Sequence, residues 1–429
     1  MQYYILKITK IIIISLIFTS CAKKQEIEGA ISLFTNLNKI EIDESLKGQE
    51  IIPPQKDSKS WLSRSDSSNN PEIENFTFAH QIKKKKSINY GYKFLGKHHI
   101  ATAPIIKNET AYLIDHKGRV TSLNTTNKKK NWQIKPFKTK FRNGKIYLNN
   151  NIIFATSGYN YLSAINAENG SVLWTKKLNS IIISSPIANK DLLFFITSDN
   201  KTYSLNANNG KIIWIHEGID KNTAILGSSE PVFYKNYVFS SYSSGEIYIL
   251  NQKNGEIGWF YNLNTNRAID SDFILNDIDN IPIIRNDVVY AVGNGGIMMA
   301  IQIKNGNVIW QNNIASISDF WIAADSIYII NNDNKLLALD RISGKIKWYI
   351  DLKKKNSKEK TIYYGLIMAG DNLILSNSNK EIITICVKKK KIIKRKKFWN
   401  NFYHSPTIAN KKIYFNILGK FSNKLLILE

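Results

Sequence analysis

The stretch Leu205-Asn206-Ala207-Asn208-Asn209-Gly210-Lys211-Ile212-Ile213-Trp214 decides the fold. Asn206 follows an aliphatic residue, Gly210 comes four positions later, and Trp214 comes four positions after that. Seven segments share this spacing: 123–132, 165–174, 205–214, 250–259, 301–310, 339–348 and 385–394. Six end in a tryptophan, and these lie 38 to 51 residues apart: Trp132, Trp174, Trp214, Trp259, Trp310 and Trp348. A repeat of this period indicates a propeller or a solenoid.

Two copies of the motif depart from it. Lys128 replaces Gly in the first copy, and Lys390 and Lys394 replace both Gly and Trp in the last. Elsewhere the polar residue and Gly predict a hairpin, because Asn and Asp bond to their own backbone and Gly adopts positive φ. The Trp then falls on the outgoing strand, where a large flat side chain wedges between neighbouring sheets. We interpret the six tryptophans as structural.

The segments between the motifs have the composition of short strands. Residues 191–197 and 412–417 are rich in Ile, Phe and Tyr and are bounded by Asn and Asp. Four such strands in each unit describe one antiparallel propeller blade. An incomplete eighth unit ends the chain, and residues 88–94 supply its missing outer strand. The sequence therefore predicts an all-β, eight-bladed propeller, with a seven-bladed ring as the alternative.

Charge and cysteine content narrow the range of partners and sites that the protein is expected to have. The net charge is +25, and lysine runs occur at 83–86, 128–130 and 388–391. Either a basic field attracts an anionic partner, or a Lys-rich and Asn-rich composition has accumulated on solvated loops. No nucleic-acid module accompanies the charge, so we expect no nucleic-acid partner. The two cysteines, Cys21 and Cys386, predict no structural disulfide, and no Cys/His cluster predicts a metal or cofactor site.

The N-terminus has the features of an export signal. Lys7 and Lys10 precede the apolar run 11–18, which is too short to span a bilayer. Small residues precede Cys21, and the segment resembles a bacterial lipoprotein signal, in which this cysteine becomes the lipidated first residue. A plain secretory signal is the alternative. Ala22 rather than Asp follows the cysteine, which by resemblance to Gram-negative sorting rules implies the outer membrane and its periplasmic face.

These observations divide the chain into a lipoprotein signal peptide at 1–20, a flexible tether at 21–87 and a propeller at 88–429. The tether assignment rests on Pro53-Pro54 and on the Ser-rich, Asn-rich and charged residues of 57–75. Trp61, Leu62 and Phe76 are expected to be too sparse to build a core.

With these repeated motifs, residues 90–429 resemble propellers of the pyrroloquinoline-quinone (PQQ) type. Together with the lipoprotein signal they resemble the BamB family of outer-membrane protein assembly factors. Two connections carry the resemblance, 224–231 and 276–282. In that family they hold the periplasmic POTRA domains of the barrel-inserting subunit BamA. The resemblance implies that Ile225 is an apolar anchor and that Asp277 and Asp279 form an acidic pair at the rim. Leu226 stands where the family has Arg, which removes a bidentate donor.

The resemblance implies a non-catalytic scaffold that binds a BamA-like subunit and assists insertion of unfolded outer-membrane proteins. Local turn capping before Pro282 is an alternative role for the two aspartates. A PQQ-dependent dehydrogenase is the alternative from another class, and a scaffold for a different envelope complex is a third. Dehydrogenases of this type need a quinone site, a calcium ion and a catalytic Asp. The sequence shows no adjacent cysteines and no acidic calcium cluster, so we expect no enzyme.

Overall fold

A computed structural model describes residues 40–46, 48, 50–62, 74–78, 85–92, 102–138, 143–219, 229–262, 280–293, 296–354, 361–418 and 422–429. Residues Ile42–Glu429 form one compact unit and contain every element named below. A short 3-10 helix, Glu44–Leu46, precedes the strands. Among the described residues, no helix is long and apolar enough to cross a membrane.

Eight antiparallel sheets make up the unit, which confirms the predicted eight-bladed propeller. Two strands lie before the first complete blade, β1 (Ser60–Trp61) and β2 (Lys85–Tyr92). Blade 1 contains β3 (Ile105–Lys107), β4 (Thr110–Ile114), β5 (Val120–Asn124) and β6 (Lys130–Ile134), and blade 2 contains β7 (Ile146–Asn149), β8 (Ile152–Thr156), β9 (Tyr161–Asn166) and β10 (Val172–Lys177). Blade 3 contains β11 (Ile187–Asn189), β12 (Leu192–Thr197), β13 (Lys201–Asn206) and β14 (Ile212–Glu217). Blade 4 contains β15 (Val232–Tyr234), β16 (Tyr237–Ser241), β17 (Glu246–Asn251) and β18 (Ile257–Asn262).

Blades 5 to 8 continue in the same order around the ring. Blade 5 contains β19 (Ile283–Arg285), β20 (Val288–Val292), β21 (Met298–Gln302) and β22 (Val308–Asn312), and blade 6 contains β23 (Trp321–Ala323), β24 (Ser326–Ile330), β25 (Lys335–Asp340) and β26 (Ile346–Asp351). Blade 7 contains β27 (Tyr363–Ala369), β28 (Asn372–Asn377), β29 (Glu381–Cys386) and β30 (Lys391–Lys397). Blade 8 contains β31 (Thr407–Ala409), β32 (Lys412–Leu418) and β33 (Ser422–Leu428). In each blade the first strand is innermost. The turn between strands 1 and 2 and the motif loop between strands 3 and 4 share one face of the ring, the motif face. Connections between blades lie on the other, the connection face.

The ring closes as predicted, because the N-terminal strand β2 completes blade 8 by pairing with β33. Ile88 lies opposite Leu425, and the pairing runs from Lys85 to Tyr92 rather than over 88–94. The buried side chains Ile88 and Tyr90 join the same apolar core as blade 8. Closure of this kind pairs β2 with the C-terminal strand β33 and covers the edge that blade 8 would otherwise leave open.

Each of the motif loops with a glycine packs against the tryptophan of the preceding blade and so joins neighbouring blades. Their glycines have φ between +70° and +78°: Gly170, Gly210, Gly255, Gly306 and Gly344. A Cβ added to Gly255 would lie 2.8 Å from the Trp214 ring of the preceding blade. The indole Nε1 of Trp214 also donates to the Gln252 carbonyl at 2.9 Å. The same ring-on-glycine contact and indole hydrogen bond recur for Trp132, Trp174, Trp259 and Trp310. In these five blades the indole thus packs against the motif loop of the next blade.

Blade 7 breaks this pattern. Lys390 keeps the positive φ of the loop, at 48°, but carries a Cβ where the Trp348 ring of blade 6 would rest. Trp348 bonds instead to a residue from the N-terminal segment, donating from Nε1 to Glu50 Oε1 at 2.6 Å. The same carboxylate accepts from the hydroxyls of Ser326 at 2.9 Å and Tyr328 at 3.0 Å. A side chain from outside the repeat thus replaces the missing loop contact.

Part of the segment expected to be a tether packs against the propeller. Trp61 and Phe76 are 6% and 2% exposed and belong to the core shared by blades 1, 6, 7 and 8, so the expectation that they build no core is wrong. The β1 strand extends blade 1 inward, with Trp61 opposite Ile106. On the motif face, the amide of Asn410 donates to Ser58 O and that of Asn108 to Lys59 O. These contacts are distant in sequence, so local composition gave no sign of them.

Candidate partner-binding site

The residues predicted to bind a partner lie outside the described part of the chain. Ile225 and Leu226 fall within 220–228, and Asp277 and Asp279 fall within 263–279. The predicted lipidation site, Cys21, is also outside it. The strands on either side are described. One connection joins β14 of blade 3 to β15 of blade 4, and the other joins β18 of blade 4 to β19 of blade 5. Both therefore start and finish on the connection face of adjacent blades.

A buried polar cluster lies between blades 3 and 4, beneath the start of the first connection. Tyr242 is fully buried, and its hydroxyl lies 2.8 Å from His216 Nδ1 and 2.8 Å from Thr202 Oγ1. Burial lowers the pKa of His216 below its ordinary value, partly opposed by the charge of Glu246. The histidine is therefore held neutral and acts as a hydrogen-bonding group.

Glu246 fixes the backbone where the first connection begins. Its side chain is fully buried and accepts hydrogen bonds from the Ile219 amide at 3.0 Å, Ser244 Oγ at 3.0 Å and the Tyr248 hydroxyl at 3.2 Å. Burial, followed by the charge of Glu246, raises the pKa of Tyr248 to about 12. A buried carboxylate is costly unless its oxygens are bonded, so this arrangement ties the geometry at Ile219 to the interior of blade 4.

Asn200 holds the same two backbone units from the other side. Its carbonyl accepts from the Gly218 amide at 2.9 Å, and its Nδ2 donates to the Ile219 carbonyl at 2.8 Å. Ser243 Oγ orients the Asn200 amide by donating to Oδ1 at 2.9 Å. A Cβ at position 218 would lie 2.5 Å from the Tyr242 ring, so only glycine fits there. Hydrogen bonds with Asn200 and Glu246 and the packing of the Tyr242 ring therefore set the direction in which the chain leaves blade 3.

The second connection is fixed where it returns to the ring. Asn280 is 2% exposed, and its Nδ2 donates to Ser316 O at 2.9 Å, which ties it to the neighbouring blade 6. Ser316 is itself buried, and its hydroxyl donates to Ile330 O at 2.7 Å. Both predicted partner-binding connections are thus joined to buried hydrogen bonds at one described end.

Two large apolar side chains are exposed beside this cluster. Ile219 is 56% exposed at the start of the first connection, and Phe260 is 59% exposed two residues before the end of β18. The Phe260 ring stacks on Tyr248, with centroids 5.4 Å apart and planes inclined by 20°. Because Tyr248 and the Ile219 amide share the Glu246 carboxylate, the two apolar groups frame one surface. Sequence reasoning missed this pair, although Gly218 directly after a strand was an available signal.

A cavity of about 410 Å³ occupies the centre of the ring. Trp61 and Leu62 line it, together with residues at the starts of the innermost strands, including His404. His404 Nε2 accepts from the Asn416 amide at 2.9 Å, while Nδ1 lies 2.7 Å from Ser405 O. Burial lowers the pKa of His404 to about 4, so it is a neutral structural histidine. Within the described ranges, no three His, Cys, Asp or Glu side chains are grouped as metal ligands.

The family model described as outer membrane protein assembly factor BamB matches residues 116–350, more than half of the chain. The chain belongs to the BamB family. The match runs from the middle of blade 1 to the end of blade 6 and includes both connections that are predicted to bind a partner.

Curated BamB proteins match over a shorter stretch. The protein of Yersinia pestis is 33% identical over 98 residues, which are 23% of this chain and 25% of that protein. That of Salmonella typhimurium is 30% identical over 99 residues, again 23% and 25%. The Escherichia coli K12 protein is 27% identical over 99 residues. The matched segment thus spans about a quarter of the length of these relatives.

Solved structures agree with the propeller fold. BamB from Moraxella catarrhalis has a TM-score of 0.64 and 16% identity, with 80% of this chain and 98% of that chain covered. A europium-containing methanol dehydrogenase has a TM-score of 0.66 and 11% identity, with 86% and 98% covered. A quinohemoprotein alcohol dehydrogenase from Comamonas testosteroni has 0.64 and 11%, with 86% and 80% covered. At these identities the likenesses show the fold alone, which BamB proteins share with enzymes.

Proposed function

We propose that this protein is a non-catalytic scaffold of outer-membrane β-barrel assembly. In this proposal the connections 220–228 and 263–279 bind the POTRA domains of a BamA-like subunit. Ile225 and Leu226 would supply the apolar centre, and Asp277 and Asp279 the acidic rim. Membership of the BamB family supports the proposal.

The proposed location of the binding site is supported mainly by one observation. Hydrogen bonds hold the backbone in place where the first connection begins. A binding loop is effective when its ends are held by a rigid scaffold, because less conformational freedom is lost on binding. Glu246 and Asn200 together bond the Gly218 and Ile219 backbone. Exposed Ile219 and Phe260 extend the proposed apolar centre onto the described surface. Interfaces of this kind have an apolar centre and a polar rim, which matches the proposed arrangement.

The proposal also includes the cellular address. The signal at 1–20 directs export, Cys21 receives the acyl chains, and the outer membrane holds the protein with the propeller in the periplasm. The predicted tether would link the anchor to the ring, and its residues Trp61 and Phe76 already belong to the core of the ring. Unfolded outer-membrane proteins are the proposed clients, and an extended client segment would add to an outer edge strand of a blade.

Co-purification with the barrel subunit tests the contact. Reversing the charge of both aspartates, Asp277→Lys with Asp279→Lys, should abolish capture of the POTRA domains and leave circular dichroism unchanged. The matched control is Glu109→Lys with Glu168→Lys. It makes the same change in charge at two exposed residues, which lie on the motif face in blades 1 and 2. Undiminished capture by the folded aspartate variant, or equal loss in the control, would refute the proposed surface.

A second test separates the apolar centre from the scaffold that holds it. Phe260→Ser removes an exposed ring and should weaken capture without altering stability. Glu246→Gln keeps the shape of the buried acceptor but removes its charge, and it should weaken capture while lowering the denaturation midpoint. Tight stoichiometric binding of PQQ with calcium by the purified chain would favour the dehydrogenase alternative instead.

A further inference from the structure

The outer strand of blade 7 differs from the other outer strands in charge. β30 reads Lys391-Ile-Ile-Lys-Arg-Lys-Lys397, with five cations and no acidic residue. The corresponding strand of blade 3, Ile212–Glu217, has no Lys or Arg and ends in an acid. Lys394 stands where six other blades carry the gripping Trp. A Lys-rich composition spread over loops does not account for five cations in one strand.

Most of these cations lack a counter-charge. Within the residues that the structure describes, Lys391, Lys394 and Lys397 form no ion pair, and all three are exposed. Arg395 is different, because its guanidinium turns inward to donate to Leu352 O at 2.8 Å and lies 3.6 Å from Glu381. The strand therefore presents a row of uncompensated ammonium groups along the outer edge of the ring, with Lys391 and Lys394 on one face of the sheet and Lys397 on the other.

An exposed indole follows this row. Trp399 is 92% exposed, the highest value among the large apolar side chains of the described residues. The preceding residue, Phe398, is buried, and its ring centroid lies 5.4 Å from Lys85 Nζ and 5.7 Å from Lys396 Nζ. Ammonium groups from β2 and β30 thus converge at the residue before Trp399. Trp combines a large apolar ring with a polar N–H and is enriched at interfaces, so an indole this exposed is available to bind one.

We propose that β30 and Trp399 form a docking surface for an anionic phospholipid bilayer. Trp is enriched at the boundary between head groups and acyl chains, and Lys side chains extend from that depth to phosphates. Clustered Lys near an anionic leaflet gain energy from its surface potential. Single-stranded nucleic acid would also neutralise the cations, but its binding sites use several aromatic platforms along a groove. Here a single indole stands at the end of an edge strand.

This surface is separate from the proposed partner-binding connections. The chain forms its eight blades in order, so blade 7 comes four blades after blade 3 and lies opposite it in the ring. The lipid surface at blade 7 and the connections of blades 3 to 5 are therefore accessible together. The inference stands whether or not the connections bind POTRA domains, because it depends only on the charge and exposure of β30 and Trp399.

Vesicle co-sedimentation tests the proposal. The full chain carrying Cys21→Ser, which excludes any acyl anchor, is mixed with phosphatidylethanolamine vesicles with or without phosphatidylglycerol. Binding should require phosphatidylglycerol and weaken with salt. Each Lys near an anionic surface contributes about fivefold to partitioning. The triple variant Lys391→Ala, Lys394→Ala, Lys397→Ala should therefore partition about a hundredfold less. Trp399→Ser should reduce binding while keeping its salt dependence.

The matched control is Lys128→Ala, Lys129→Ala, Lys130→Ala. It removes the same charge from another exposed lysine run, in the motif loop of blade 1. This control should bind as the parent chain does. Equal loss in both triples would show a net-charge effect and overturn the proposal. Absence of binding to phosphatidylglycerol vesicles, or binding of RNA or an acidic protein in preference to them, would also overturn it. Trp399→Ser alters a solvent-exposed side chain, so it remains informative if the β30 triple fails to fold.

Discussion

Replacing Gly255 by Ala tests the physical reason for the repeat. Gly255 has a φ of 76°, where any L side chain is strained by about 1–2 kcal/mol. The new Cβ would lie 2.8 Å from Trp214 Cδ2, and relieving such overpacking costs typically about 1–3 kcal/mol. Neither effect is offset by new buried surface of comparable size. We therefore expect Gly255→Ala to lower the free energy of unfolding by about 2–5 kcal/mol.

Lys128 provides a matched control for the backbone contribution. It occupies the same motif position in blade 1 with a φ of 63°, and it already carries a Cβ. The preceding blade, blade 8, ends in β2, whose sequence has no Trp. Lys128→Ala therefore adds no atom near a ring and should change stability by less than about 0.5 kcal/mol. Lys128→Gly relieves the strained φ but makes the unfolded chain more flexible, so the two effects oppose each other.

A double-variant cycle isolates the contact with the ring. Trp214 is 8% exposed, and its replacement by Ala should cost about 3–5 kcal/mol alone. If the Gly255→Ala strain arises from the Trp214 ring, the double variant should be less destabilised than the sum by about 1–3 kcal/mol. Urea denaturation followed by far-ultraviolet circular dichroism measures all four proteins. Strict additivity, or a Gly255→Ala protein as stable as the parent, would refute the interpretation of the motif as a ring-on-glycine grip.

Two further predictions concern the buried carboxylate of the N-terminal segment and the buried histidine of the cavity. Glu50→Ala leaves the donors of Trp348 and Tyr328 without an acceptor and should cost about 1–3 kcal/mol. Limited proteolysis should then cleave the N-terminal segment faster, and an unchanged rate would contradict its role. His404 has a pKa of about 4 in the folded state and 6.5 as its ordinary value, so the unfolded state binds more protons between these pH values. Its contribution to stability is complete above pH 6.5 and is lost as the pH falls towards 4, by up to about 1.4 kcal/mol per pH unit. His404→Gln should flatten the denaturation midpoint over this range, and an unaltered pH profile would count against it.

The repeat explains why the fold was predictable and why its N-terminal part was not. Asn206, Gly210 and Trp214 act within one hairpin and its neighbour, so their spacing alone indicates blades. Glu50 is different, because its partners lie about 300 residues away and nothing in its local sequence marks it. One signal was available in retrospect. The ring of Trp348 in blade 6 would pack on a Gly in the motif loop of blade 7, but Lys390 occupies that position. Another group therefore had to contact the ring and accept the hydrogen bond from its Nε1.

The partner-binding connections were predicted from a resemblance, whereas the hydrogen bonds that hold them were not predicted at all. Ile225 and Asp277 belong to short motifs that a sequence displays directly. Tyr242 lies in an ordinary turn, Glu246 begins the strand that follows it, and His216 lies on an ordinary outer strand. Their relation depends on how blade 3 packs against blade 4. Buried polar clusters of this kind are specified by three-dimensional proximity, which period and composition do not encode.

The loss of Trp from the outer strand of blade 7 explains how that strand became available for another role. In blade 3, the Trp214 side chain packs against and hydrogen-bonds the motif loop of the next blade, so one face of its strand is occupied. In blade 7, Lys394 is exposed. The contact with blade 8 is made instead by the connection that follows the strand. Phe402 is fully buried there, with its ring centroid 5.5 Å from that of Phe398 and 4.6 Å from that of Phe415 in β32. With blade 8 held in this way, the outer strand carries no packing role at position 394. Charge can therefore accumulate on it without weakening the ring, as the lipid-docking proposal requires.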